Sequence, residues 1–289
     1  SRSVMITVTI LLIFAFLLFL LPYLSFKSTK LPTTVHHTSA VKSVGHRGAA
    51  AYAPENTLAS IGKALEIGVD YIELDVHLTK DNQVVIIHDP NTRRTTGSDS
   101  EVADLTLEEI KGLDAGSWFS PSFTNERIPT LLEALQLING RCGLLIELKW
   151  PRKGIYDRLA AEILAIIAPF QSMSPIILQS FEPRYLQEIH QQQPSLKMHQ
   201  LLIGDAVLLP LYHQRNLQLG HFSPVAGVTS VNTYYPYITE KMRQRYGVEE
   251  LGVFTVNTEE DIAKSIANGA TYIISDKPDL IHQCLNKLK

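Results

Sequence analysis

Two regimes of hydrophobic patterning divide the chain. The first is one unbroken run. No charged residue occurs from Val4 to Phe26, and Ile10 to Leu21 holds only Ile, Leu, Phe and Ala. A helix of about 20 apolar residues spans the hydrocarbon of a bilayer, so residues 1–26 read as a single-pass N-terminal transmembrane anchor. The rival is a cleaved signal peptide, whose apolar region runs to about 7–15 residues before a small-residue cleavage site. The run here is longer and ends in the bulky Pro22-Tyr23-Leu24, which favours the anchor. Arg2 on one flank nearly balances Lys27 and Lys30 on the other, so the positive-inside rule leaves the side of the membrane open. Residues 27–42 are polar, rich in Ser and Thr, and contain one Pro; they read as a linker.

The second regime, residues 43–289, alternates short apolar runs with helical stripes. Expected strands are Ser43–Gly48, Tyr71–His77, Val84–His88, Gly143–Lys149, Ile176–Phe181, Lys197–Leu202, Gly227–Val231, Leu251–Val256 and Tyr272–Ser275. The clearest helix is Glu55–Ile67, with Pro54 before it, a Leu58/Ile61/Leu65 stripe and a closing Gly68. Others are Leu131–Ile138, Tyr156–Ile167, Pro183–Gln192, Ile238–Tyr246, Glu259–Ala267 and Pro278–Leu288. Such alternation predicts an α/β fold, a TIM (β/α)8 barrel. A doubly wound open sheet is the alternative, but no glycine-rich nucleotide loop follows the first strand.

Two places break the alternation. Residues 79–83 have room for a turn, Lys80-Asp81-Asn82, and not for a crossover helix. The flanking strands are therefore expected to pair as a hairpin centred near Asp81, which sets His88 opposite residue 74, beside Glu73 and Asp75. The second break runs over about residues 89–130, too long for a simple connection. It reads as a small insertion after the third strand, lying over one end of the barrel. It holds one short helix, Leu107–Lys111, with a Thr106/Glu109 capping box.

Charge narrows the partners. Lys and Arg total 26 against 29 Asp and Glu, and no basic tract marks a nucleic-acid surface. Cys142 and Cys284 form neither a disulfide framework nor a zinc spacing.

The chemistry gathers at the ends of the early strands, where barrel enzymes carry their catalytic groups. Glu73 and Asp75, two apart on a strand, share a face, as do Glu147 and Lys149. Three carboxylates in a barrel interior are costly without positive charge. Arg47 and Lys149 offset part of it, and a divalent cation the rest. Oxygen-only ligation favours Mg2+ or Ca2+ over zinc. The bland alternative is an internal salt-bridge cluster. His46 and His88, also at strand ends, are the acid–base candidates, because histidine exchanges protons near neutral pH. Arg47 offers a planar fork that matches phosphate oxygens. His36, His37, His190, His199, His213, His221 and His282 lack such company.

In combination, these motifs resemble the glycerophosphodiester phosphodiesterase family. The resemblance rests on His46-Arg47-Gly48, Pro54-Glu55-Asn56-Thr57, Glu73-Leu74-Asp75, His88-Asp89, Arg94-Thr95-Thr96-Gly97, Glu147-Leu148-Lys149, Thr255-Val256-Asn257 and Ser275-Asp276-Lys277-Pro278, in that order. It implies a TIM barrel with a small insertion and hydrolysis of a glycerophosphodiester to sn-glycerol 3-phosphate and an alcohol. By matching position, Glu73, Asp75 and Glu147 would hold a divalent cation, Mg2+ or Ca2+. His46 and His88 would be the acid–base pair, and Arg47 and Lys149 would hold phosphate. Glu55, Phe254 and Asn257 would stand behind them; for Glu55 a helix-start hydrogen bond is an equal reading. Phe254 departs from the family, which often has Trp there, and loses an indole N–H donor.

The anchor raises a rival substrate, a membrane lysophospholipid cleaved in a lysophospholipase D reaction. An apolar rim formed by Trp118, Phe119 and Phe123 would favour it; packing within the insertion is the other account of that cluster. A non-catalytic barrel binding a phosphorylated ligand is the third reading. It expects a lost histidine or carboxylate, and none is lost.

Overall fold

The computed structural model describes residues 2–32, 41–204 and 223–288. Nine strands are found among them: β1 (Lys42–Gly45), β2 (Tyr71–Leu78), β3 (Val84–Ile86), β4 (Gly143–Leu148), β5 (Ile176–Ser180), β6 (Lys197–Leu202), β7 (Val228–Tyr234), β8 (Glu250–Phe254) and β9 (Tyr272–Ser275). All but β3 pair in parallel, and the ring closes where β1 meets both β2 and β9. This is the expected (β/α)8 barrel, and closure excludes the open sheet. The helices are α1 (Arg2–Ser28), α2 (Leu58–Ile67), α3 (Arg93–Thr96), α4 (Leu107–Lys111), α5 (Leu131–Ile138), α6 (Leu159–Ile167), α7 (Pro183–Gln192), α8 (Lys241–Tyr246), α9 (Glu259–Ala267) and α10 (Pro278–Lys287). The connection from β6 to β7, with His213 and His221, lies largely outside the described residues, as do His36 and His37 in residues 33–40.

The hairpin forms in the expected register. Val76 stands opposite Ile86 and Leu78 opposite Val84, which centres the turn on Asp81. The Ile87 N–H continues the ladder to the Asp75 carbonyl at 3.0 Å. Because β3 runs antiparallel, it is no barrel stave; it starts the insertion and carries His88 back to the mouth. The insertion has its own small core of Val85, Ile87, Val102, Ile110, Ala115 and Ile128, and Thr106 and Glu109 make the capping box. Phe119 packs edge-on against both Trp118 and Phe123. Phe123 also crosses so close to Gly116 that a Cβ there would stand 1.9 Å from its carbonyl oxygen.

Outside the staves, apolar strand faces meet the helix stripes. Ile61, Leu74, Leu131, Leu144, Ile163 and Tyr185 are among the buried residues of one half, and Val231, Met242, Leu251, Ile262 and Ile281 of the other. Each such side chain contributes about 1.5–3 kcal/mol on burial. Inside, Val44, Leu145, Ile177, Tyr272 and Ile274 plug the barrel beneath the mouth. A polar group shares that interior. Asn232 Nδ2 donates to Gln179 Oε1 at 2.9 Å and lies 3.1 Å from His199 Nδ1. Burial pushes His199 well below its ordinary pKa, which keeps it neutral. Both cysteines are free and buried.

Three expectations need correction. Residues 54–56 are a turn and not helix; α2 begins at Leu58, with the Thr57 hydroxyl accepting from the Ser60 N–H. Asn56 has φ 57, which a helix cannot continue through. The helices expected from Tyr156 and Ile238 start at Leu159 and Lys241. Third, the first two residues of the segment read as a linker, Lys27 and Ser28, are helical, since α1 runs to Ser28; the segment's residues 33–40 lie outside the described residues.

Candidate active site

The turn that carries His46 and Arg47 follows β1 and depends on two glycines. A Cβ on Gly45 would lie 2.2 Å from the Gly48 carbonyl oxygen, and one on Gly48 would lie 2.4 Å from Ser60 Oγ. Gly48 has φ +91 and Arg47 φ 52. A non-glycine residue in the left-handed region is strained and is usually held there by its surroundings. Here the Arg47 N–H donates to Glu73 Oε2 at 3.0 Å, and its carbonyl accepts from Ser60 Oγ at 2.8 Å. The turn thereby aims His46 and the Arg47 guanidinium into the mouth.

Glu73 and Asp75 alternate along β2, and Glu147 on β4 stands opposite Asp75. All three are buried, and one oxygen from each lies within 4.8 Å of the others. Lys149 Nζ is 2.8 Å from Glu147 Oε1 and 3.5 Å from Asp75 Oδ1. Arg47 Nε is 3.3 Å from Asp75 Oδ2, and its Nη1 donates to Glu55 Oε1 at 2.8 Å. Asn56 Nδ2 donates to Asp75 Oδ2 at 2.9 Å.

These surroundings drive the carboxylates apart. Burial, then Asp75 and Glu147, pushes the Glu73 carboxyl well above its ordinary range. Burial also opposes ionisation of Asp75, but His88, Lys149 and Arg47 overcome it and hold that carboxyl low. Lys149 is buried too, yet Glu147 and Asp75 keep its ammonium charged and its pKa raised. Two fixed cations face three carboxylates, and Glu73 is the group left short of positive charge. The donor set is all oxygen, converging and buried, so it fits a hard divalent cation.

Each histidine is gripped by an aspartate. His46 Nδ1 lies 2.6 Å from Asp276 Oδ1, while its Nε2 is turned towards Glu73 Oε2 at 4.0 Å. His88 Nδ1 lies 2.7 Å from Asp89 Oδ1. A carboxylate on Nδ1 fixes the ring and leaves Nε2 to exchange protons. Both aspartates are fixed in turn. Asn257 Nδ2 donates to Asp276 Oδ2 at 2.7 Å and Arg94 Nε to Asp89 Oδ2 at 2.7 Å. Burial opposes ionisation of Asp276, but His46 and Asn257 hold its carboxyl low. The hydrogen bond from His88 lowers that of Asp89. Beneath His88, buried His77 sits with Nε2 3.0 Å from the His88 carbonyl and Nδ1 2.9 Å from the Tyr156 hydroxyl.

One cavity of about 230 Å³ joins these groups. His46, Arg47, Glu73, Asp75, His88, Glu147 and Lys149 line its polar side, and Phe181, Leu201, Ile203, Phe254 and Ile274 its apolar side. Phe254 packs edge-on against Phe181 at 6.1 Å and so forms part of the apolar wall. All seven residues expected from the sequence to do the chemistry thus share a cavity. Of the three expected behind them, Asn257 orders Asp276, and Glu55 ties Arg47 to Arg94 through bonds of 2.8, 2.9 and 2.6 Å instead of opening a helix. Sequence reasoning gave no role to Asp276, Asp89, Arg94, Asn56 or His77. Asp89 carried a local signal, a carboxylate next to His88 in sequence, whereas Asp276 lies 230 positions from His46 and carried none. His199 and His282 are structural; the latter's Nε2 meets Ser43 Oγ at 3.0 Å.

Comparison with known proteins follows the same map. The glycerophosphoryl diester phosphodiesterase family model matches residues 46–280. The Bacillus subtilis protein YhdW is 38% identical over 240 residues, covering 82% of this chain and 95% of its own. A glycerophosphodiester phosphodiesterase of Caldanaerobacter subterraneus is 35% identical over 249 residues, covering 84% and 97%. Among solved structures, an Oleispira antarctica phosphodiesterase in complex with the product sn-glycerol-3-phosphate superposes with a TM-score of 0.71. It is 26% identical and covers 89% of this chain and 97% of its own. With motif, barrel and mouth in agreement over residues 46–280, this chain belongs to the glycerophosphoryl diester phosphodiesterase family.

Proposed function

We propose that the chain hydrolyses glycerophosphodiesters to sn-glycerol 3-phosphate and an alcohol by histidine acid–base catalysis. The observation that carries this reading is the meeting of two aspartate-oriented histidines and a three-carboxylate cluster in one cavity. Glu73, Asp75 and Glu147 would hold a divalent cation, Mg2+ or Ca2+. Bound there, the cation would supply Lewis-acid neutralisation of the phosphodiester charge. Arg47 and Lys149 hold phosphate oxygens and strengthen that neutralisation as charge builds. One of His46 and His88 takes the proton of the nucleophile at Nε2, and the other gives a proton to the departing alkoxide. A new P–O bond forms as the P–O bond to the alcohol breaks. The nucleophile is water or the substrate's own neighbouring glycerol hydroxyl; the latter gives a cyclic phosphate, and water then forms a P–O bond as one ring P–O bond breaks, leaving sn-glycerol 3-phosphate. His46→Ala and His88→Ala are expected each to lower kcat by about 10² or more, with the circular dichroism spectrum unchanged. Undiminished release of sn-glycerol 3-phosphate in either variant overturns the assignment.

We also infer that α1 is a single-pass membrane anchor. It is 27 residues long, near the N-terminus, and apolar and long enough to cross a bilayer. A signal sequence has the same profile, and the mass of the membrane-extracted chain separates the two.

A further inference from the structure

The end of α1 is fastened to the barrel in a direction that can be read. Lys27 Nζ meets Asp261 in the first turn of α9 at 2.9 Å. The Lys27 carbonyl accepts from Lys264 Nζ at 2.6 Å, and Thr29 Oγ1 accepts from Asn268 Nδ2, at the far end of α9, at 3.2 Å. α9 follows β8, so it starts at the face where the strands end and the catalytic groups lie, and descends from there. The chain therefore passes Asp261 first and Asn268 last, moving away from the catalytic face. One residue upstream, Phe26 is 2% exposed and packs edge-on against Tyr235, 5.4 Å away in the turn that leaves the C-terminal end of β7. Everything before Phe26 thus continues beyond the catalytic face. That segment carries no charge from Val4 on, and most of its described large side chains are exposed, Leu12 at 66%. From Val4 to Leu24 the helix rises about 30 Å, the thickness of bilayer hydrocarbon.

The catalytic rim is dressed for the same surroundings. Exposed Tyr52 follows β1, exposed Tyr234 ends β7, and exposed Trp118 sits in the insertion that carries His88. Tyr and Trp favour the headgroup layer, where an apolar ring can rest with its polar edge wet.

We propose that α1 enters the bilayer from the catalytic side, so that the mouth faces the headgroup layer and takes lipid-borne glycerophosphodiesters, chiefly those whose glycerol keeps one acyl chain. The latch of Phe26 and Lys27 holds the barrel in that pose. The occupant of the face is the lipid surface, and the apolar wall of the cavity, Phe181, Leu201, Ile203 and Phe254, meets the acyl-bearing end. The substrate half rests on the hydrolytic function proposed above; the orientation does not.

The test uses the full chain reconstituted in phosphatidylcholine vesicles doped with a headgroup quencher. Cys142 and Cys284 are buried, so a fluorophore can be placed through Trp118→Cys on the rim or Met173→Cys, which precedes β5 at the opposite end. Quenching several-fold stronger at 118 than at 173 is expected, and the doubly substituted Phe26→Ala/Lys27→Ala chain should lose that contrast while remaining membrane-bound. Equal or reversed quenching, a contrast that survives the double substitution, recovery of a chain lacking residues 2–26, or α1 cross-linked into a second copy would each overturn the pose. In parallel, the double substitution should lower kcat/KM several-fold for lysophosphatidylcholine in vesicles and leave soluble glycerophosphocholine unchanged; equal effects overturn the lipid assignment. No hydrolysis of either substrate defeats the hydrolytic reading, while the quenching still decides the pose.

Discussion

Replacing Asp276 by Asn removes one charge, keeps the shape, and reverses a hydrogen bond. Asp276 Oδ2 accepts from Asn257 Nδ2, and Oδ1 holds His46 Nδ1. In Asp276→Asn the Asn257 amide still requires an acceptor, so the new carbonyl oxygen turns to it. The new amide N–H then faces His46 Nδ1, which must accept, and the ring proton moves to Nε2. As a base, His46 is then already protonated where it should react; as an acid, its imidazolium has lost the counter-charge. Correctly placed acid–base catalysis is worth about 10²–10⁴ in rate, or roughly 3–5 kcal/mol of barrier, and most of it should go. Asp276→Ala leaves Nδ1 free to keep its proton against water, so it should be the milder change. The assay is kcat on glycerophosphocholine near neutral pH for both variants, with circular dichroism as the folding control. The expected order is wild type, then Ala, then Asn. An Asn variant within a few-fold of wild type, or milder than Ala, refutes the tautomer reasoning.

Asp89→Asn should behave likewise, because Arg94 Nε claims the carbonyl oxygen and turns the amide N–H to His88; a kcat near wild type contradicts this. Buried His77 is held at a pKa of about 4 by burial. Its folded pKa lies below the unfolded value of about 6.5, so the unfolded chain binds the extra proton between them. Its share of stability is complete above pH 6.5 and falls as pH drops towards 4, by roughly 3 kcal/mol. His77→Gln, which can keep both hydrogen bonds without titrating, should lack that fall; urea unfolding across the window gives the difference, and parallel curves count against it. Gly48→Ala sets a Cβ 2.4 Å from Ser60 Oγ at φ +91, and should destabilise by more than about 2 kcal/mol. An unchanged urea midpoint would show that the turn relaxes freely.

Local signals carried much of the fold. The hairpin register can be counted from its turn, which sets His88 beside Glu73 and Asp75. Apolar runs located the staves, except where the interior is polar: β7 reaches Tyr234, past the expected Val231, because Ser230 and Asn232 point into a hydrogen-bonded barrel interior and broke the apolar run. Pro54 suggested a helix start, but Glu55 is drawn to Arg47 and Arg94, the latter 39 residues away, and the helix waits for Thr57. The histidine partners were harder to see. His46 and Asp276 lie 230 positions apart and meet only because β1 and β9 close the ring. The latch of α1 was invisible for the same reason, since Lys27 and Asp261 are 234 positions apart.

The most direct test of the central claim is chelation of the purified chain with glycerophosphocholine as substrate, following sn-glycerol 3-phosphate. Release should stop in excess EDTA, and Mg2+ or Ca2+ should restore it in the wild type but not in Glu73→Gln. Full activity in excess chelator, or equal restoration in the Gln variant, would contradict the account.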